Sequence, residues 1–162
     1  MDLIGIANHR LKDSYPCRLP VWWGYIGEPG AHPELKGVSG RKVVLRIQKK
    51  FGRIERLMAK ILKAPKEVRR PLDSMNSLLW ELCNGKNTFE TICQLLDSTF
   101  HEDIAPVVER TNKGLELLKS QNLVTILNSE FTGKWSIGSG ITPVNQNLGD
   151  LDPATGIETG EE

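Results

Sequence analysis

The residues that could carry chemistry in this chain are scattered. His9, His32 and His101 lie far apart, and none neighbours a motif serine, a metal-spaced cysteine or a second histidine four residues on. Without such spacing there is no local convergence of nucleophile, base or ligand, so they read as lone surface histidines. Cys17, Cys83 and Cys93 form no C-x-x-C pair and leave one over in any disulfide scheme. Cys93 falls on an apolar helix stripe and Cys83 beside one, which makes both small buried hydrophobes; Cys17, in a proline-bounded loop, stays open. The glycines of 138–140 lack the Gly-Lys-Ser/Thr ending of a phosphate loop, and Asp150 and Asp152 lack the other ligands of a calcium loop. The expectation is a protein that is not an enzyme and has no cofactor and no metal.

Charge, by contrast, is concentrated. Residues 36–70 hold thirteen lysines and arginines against Glu55 and Glu67, a local charge of +11 inside a chain whose net charge is +1, while 145–162 holds five acidic residues and no basic one. Within the basic region 43–47 reads as a strand, and Phe51, Ile54, Leu57, Met58, Ile61 and Leu62 repeat at helical spacing until Pro65. The other side of that accessory amphipathic helix carries Arg53, Arg56, Lys60 and Lys63 as one basic stripe. It reads as a solvated face or as a contact with an anionic surface, either a membrane leaflet or an acidic partner.

The elements that would position a site lie in 73–124. Met75, Leu78, Leu79 and Leu82 form one helical face, with Asp73 or Ser74 as cap and Gly85 just past the end. Thr88 can cap a second helix with Phe89, Ile92, Cys93, Leu96 and Phe100 on one stripe. A third has Ile104, Val107, Val108, Thr111, Leu115 and Leu118 on one side, Asp103 as cap and Pro106 in its first turn. A strand at 123–127 with a return at 131–137 completes three helices plus a hairpin, the pattern of a winged helix-turn-helix of class α+β. Before it, Pro16, Pro20, Pro29 and Pro33 have Trp22, Trp23 and Tyr25 between them, an ordered strap whose tryptophans either cover an apolar patch or anchor at a bilayer interface. The expected division is therefore strap 1–40, basic strand and helix 41–72, winged-helix core 73–140 and disordered acidic tail 141–162.

The run 72–124, with its Leu-Asp, its Leu-Leu-Trp-Glu-Leu-Cys-Asn-Gly-Lys-Asn-Thr and its closing Leu-Leu-Lys-Ser-Gln-Asn-Leu-Val, resembles the PqqD family of pyrroloquinoline-quinone biosynthesis and its relatives. Trp80, Asn84, Gly85 and Thr88 stand where members often have the mid-helix Trp, the Asp-Gly and the Thr. The resemblance implies a peptide-binding module, the recognition element that holds the leader of a precursor peptide (a RiPP) or acts as chaperone for a peptide-modifying enzyme, a radical SAM enzyme among the candidates. It also implies where the peptide goes. The strand before helix one, 66–72, would be an exposed edge to which the leader adds while resting on helix three. Carried over by position, that groove is Val68, Arg69, Arg70 and Leu72 with Glu109, Arg110, Lys113 and Leu117. Pro71 removes one backbone donor from the edge, and Val68 is expected to supply another.

Two other readings remain. A winged helix beside a basic region suits nucleic acid, but 101–119 carries four acidic against three basic residues, so specific binding through helix three is not expected. A structural subunit docking on a larger complex is the other. The start lacks the basic-then-apolar order of a signal peptide and no segment has the length of a membrane span, so the expectation is a cytoplasmic protein, with peripheral membrane contact through the basic stripe.

Overall fold

The computed structural model describes residues 3–30, 35, 38–48, 57, 67–144 and 146–160. Arg53, Arg56, Lys60 and Lys63, with all of the helix expected to carry them except Leu57, lie outside the described residues. The architecture is mixed α+β. Strands β1 (Tyr15–Arg18), β2 (Trp22–Ile26), β3 (Lys42–Gln48) and β4 (Glu67–Pro71) precede helices α1 (Ser74–Leu82), α2 (Phe89–Phe100) and α3 (Val107–Ser120), and β5 (Val124–Leu127) follows.

Local signals set the helices. The Asp73 carboxylate accepts the Asn76 N–H at 2.8 Å, and Thr88 Oγ1 accepts the Thr91 N–H at 3.2 Å, each satisfying a donor the first helical turn cannot. Gly85 closes the turn after α1 at φ 75°, where a Cβ would come within 2.3 Å of Phe131 Cβ, so only glycine fits. The start of α3 departs from expectation. His101–Ile104 is a separate 3-10 turn and Pro106 stands at the N-cap with no side chain capping it, so Asp103 is not the cap.

Pairing departs further. Strand β5 joins β1 in an antiparallel two-stranded sheet, from Tyr15 opposite Leu127 to Arg18 opposite Val124, and not 131–137. Gly133, at φ 86°, interrupts the supposed return strand. The segment packs instead over the α1–α2 turn and β1: the Phe131 N–H donates to Gly85 O at 2.9 Å, and Trp135 Nε1 donates to Arg18 O at 2.7 Å.

The second sheet is antiparallel in the order β2-β3-β4. Trp23, Val43, Leu45 and Leu72 from its inner side join one core with Leu78, Leu82, Phe89, Ile92 and Leu96 of the helices. Both tryptophans of β2 are buried, which overturns the bilayer-anchor reading. Trp23 sets its edge against Trp80 at 6.1 Å between centroids and donates its indole N–H to Ile137 O at 3.0 Å. Trp22 lies under the Arg46 guanidinium at 4.5 Å. The acidic segment 146–160, expected to be disordered, runs against this sheet: Arg46 donates to Gly149 O, and Tyr25 and Glu158 exchange backbone hydrogen bonds at 2.7 and 2.8 Å. Composition underrates it because backbone and arginine donors, and not apolar side chains, hold it.

Candidate functional site

A three-stranded sheet has two outer edges, each a row of backbone donors and acceptors. On β2 the row is taken, since Tyr25 pairs with Glu158 and Trp23 O accepts the Gly140 N–H at 2.8 Å. On β4 it is not. The Leu72 N–H donates to Val43 O at 2.8 Å, and the Ser77 hydroxyl finishes that pair, accepting from the Val43 N–H at 2.8 Å and donating to Leu72 O at 3.2 Å. In antiparallel pairing the hydrogen-bonded positions alternate, so with Leu45 opposite Arg70 and Ile47 opposite Val68, the backbone groups of Arg70 and Val68 point into the sheet. Those of Glu67, Arg69 and Pro71 point out. Pro71 therefore sits where the ladder needs no N–H, and the outward row is the Glu67 and Arg69 donors with three carbonyls. Among the described residues none of these groups has a partner. Val68 is not an outward donor, contrary to expectation.

Side chains alternate the other way. Val68 stands on the helix side, 44% exposed, and next to it Arg70 hydrogen-bonds the Gln121 side chain at the C-terminus of α3. The β4 edge thus meets α3 at that bond. From Asp73 onward a groove of about 240 Å³ opens between α1 and α3, with Met75, Asn76 and Leu79 on one wall and Arg110, Lys113 and Leu117 on the other. Gly114 makes it possible for the helices to approach: a Cβ there would stand 3.0 Å from Leu79 Cδ2.

Of the residues expected from sequence, Val68, Arg69 and Arg70 lie on β4, and Arg110, Lys113 and Leu117 line the groove. Leu72 is a core residue at 9% exposure, because its side chain follows Val43 and Leu45 inward. Glu109 lies outside the groove lining and pairs with Lys113 at 3.2 Å. The α1 wall was not foreseen. Gly114 inside an otherwise helical pattern is the sequence signal that could have found it, since a mid-helix glycine is tolerated chiefly where another element comes close.

Two other features compete for attention. A larger cavity, about 500 Å³, lies behind α3 between Leu11, Leu115 and Ile126 of β5, and one of its cations, Arg10, already meets Glu116 at 3.4 Å. Deeper in, Arg18 donates to Trp80 O and Glu81 O at 2.8 Å, binding the carbonyl end of α1, while Glu81 accepts from Ser39 N at 2.8 Å, Ser39 Oγ at 3.0 Å and the Tyr25 hydroxyl at 3.4 Å. Burial raises the Glu81 carboxyl above the ordinary carboxylate value and lowers the Arg18 guanidinium; it also pushes Tyr25 up to about 12. The cluster ties β1, β2 and residues 38–40 to α1 with its hydrogen bonds satisfied. All three cysteines are free and buried, and burial pushes Cys83 and Cys93 up to about 12, so their thiols stay protonated at neutral pH.

Among the described residues no three His, Cys, Asp or Glu side chains are placed to hold a metal ion, and no helix is long and apolar enough to cross a membrane. No protein family, curated protein or solved structure matches the chain.

Proposed function

We propose that this protein is a non-catalytic, PqqD-like peptide-binding module of winged-helix type, taking an extended precursor peptide on the β4 edge for a peptide-modifying enzyme. The observation that carries this reading is the outward row of Glu67, Arg69 and Pro71 backbone groups, unpartnered among the described residues, beside a groove with apolar and cationic walls. A peptide strand takes main-chain affinity from the edge, and alternate side chains reach the groove. The cations suit acidic residues and Met75, Leu79 and Leu117 suit apolar ones.

Binding of nucleic acid by α3 is disfavoured because its cations are partly neutralised, Lys113 by Glu109 on its own helix. Docking on a larger complex through the same edge is the remaining alternative.

Titration of isotope-labelled protein with a precursor peptide encoded beside it tests the reading. The Glu67 and Arg69 amides and the 110–117 face of α3 are expected to shift, and Arg69→Pro is expected to weaken binding at least about tenfold by removing an outward donor and filling the edge. Perturbations clustered on α2 or β5 would overturn it. So would a sequence-selective duplex DNA complex that persisted at physiological salt and was lost in Lys113→Glu.

A further inference from the structure

The occupied edge of β2 has the properties of a site, independent of the reading given to β4. Four residues of the chain, Ile157 to Gly160, lie along it, and each meets a different recognition element. The Ile157 side chain fills the space over Gly24, where a Cβ would stand 2.9 Å from Ile157 Cγ2 and 2.8 Å from Glu158 O. Glu158 makes the two backbone bonds to Tyr25, and its carboxylate meets Arg41 Nη1 at 3.0 Å. Thr159 occupies the place that a side chain on Gly140 would take, with Cγ2 2.5 Å from that Cβ position. The Gly160 N–H donates to Ser139 Oγ at 2.8 Å, and Gly160 lies on the Tyr25 ring, where a Cβ would find Cε2 at 3.4 Å.

The receptor side is pre-set. Arg41 donates Nε to Gly27 O at 2.7 Å and stands 5.7 Å from the Tyr25 ring centroid, so its guanidinium is held by groups that do not belong to the segment it binds. The occupant, by contrast, is held lightly. Glu158 pairs with a single residue of β2, an isolated bridge, and its side chain is 69% exposed, which leaves the ion pair little net strength.

We propose that the outer edge of β2, with Gly24, Arg41, Ser139 and Gly140, is a second peptide-binding site. Its ligand is an extended segment of another protein with the pattern β-branched, acidic, threonine, glycine, and Ile157 to Gly160 occupy it in cis as an exchangeable competitor. Main-chain pairing to Tyr25 supplies affinity; the two glycines select side chains that fit above them, and Arg41 selects the carboxylate. A cis segment acts at an effective concentration on the order of millimolar, so it masks the site from weak ligands without closing it to strong ones.

The test uses the full chain and a fluorescent octapeptide, Pro-Ala-Thr-Gly-Ile-Glu-Thr-Gly, the sequence of residues 153–160. Glu158→Pro removes the tail's N–H and carboxylate while leaving the receptor intact. If the wild-type site is open about a tenth of the time, this variant should bind the peptide about tenfold more tightly. Arg41→Glu added to it should abolish binding, and an octapeptide with lysine in place of its glutamate should restore it. Amide exchange at Tyr25 gives a second reading: protection should fall in Glu158→Pro and return when the peptide saturates. Equal peptide affinity in the wild type and Glu158→Pro, indifference to Arg41→Glu, or unrestored Tyr25 protection would each overturn the proposal. A concentration-dependent doubling of mass with tails exchanged between copies would assign the edge to a second copy, and overturn it too.

Discussion

The two edges of the β2-β3-β4 sheet offer the same backbone chemistry and differ in what lies beside them. Beside β2, the chain's own residues 140 and 158 supply partners for Trp23 and Tyr25. Beside β4, the next element is α1, which turns away at Leu72 after Ser77 has closed the last backbone pair. One edge is thus covered from within and the other ends in a groove. Exposed edges invite association with other chains, and this sheet meets that hazard differently on its two sides. On β2 a light cis segment covers the row; on β4 a proline removes one donor at position 71 and arginines flank it.

Substitutions at these edges separate ladder from surface. The largest effect is expected from Val68→Pro, whose N–H lies on the β3 side. Losing that bond and forcing a proline ring into the ladder should cost about 3 kcal/mol, seen as a lowered denaturation midpoint with unchanged slope. Gly24→Val comes next. The new side chain meets the Glu158 carbonyl and Ile157, so the tail must leave or the strand must shift, at about 1–3 kcal/mol, with faster amide exchange at Tyr25. Arg69→Pro, one residue from Val68 but outward, should stay within about 1 kcal/mol of wild type while abolishing any added strand; a loss equal to that of Val68→Pro would refute the register argument. Leu117→Ser, on the exposed groove wall, should change stability by no more than about 0.5 kcal/mol.

Two carboxylates sharpen the contrast through pH. Glu67, at the start of β4, is held below the ordinary carboxylate value of 4.5, chiefly by its hydrogen bond from Arg46. Its folded form binds the proton less readily than the unfolded chain, so its contribution is present above 4.5 and is lost as pH falls through the lower folded value. Glu81 is raised, chiefly by burial, and runs the other way: its contribution is fully present below 4.5 and declines as pH rises through the higher folded value. Glu67→Gln should flatten the acid limb of a stability profile, and Glu81→Gln the limb above 4.5. A profile in which Glu81→Gln changed only the acid limb would contradict that assignment.

Much of this was legible in the sequence where the determinant was local. The apolar spacing of Met75, Leu78, Leu79 and Leu82, with Asp73 ahead and Gly85 behind, marks α1 because caps and stripes act within a few residues. Thr88 marks α2 in the same way, and the alternation of Val68, Arg70 and Leu72 places β4 and its helix-facing side. Which strand pairs with which was not legible. Residues 124–127 were as ready to pair with 131–137 as with β1; Pro16 and Cys17, more than a hundred positions away, were chosen because they complete a ladder that Gly133 interrupts on the nearer side.

The sequence by itself determined three helices, the caps of the first two and an extended arginine-rich segment before them, since each follows from periodicity and short-range hydrogen bonding. Only the tertiary structure decided which edge of the sheet is without a partner among the described residues. It buried Leu72 where a groove residue was expected, turned the Val68 N–H inward and the Arg69 N–H outward, and laid an acidic tail along Tyr25. Those outcomes depend on register and on contacts between segments remote in sequence. A one-residue shift would reverse every one of the β4 assignments while leaving the composition unchanged.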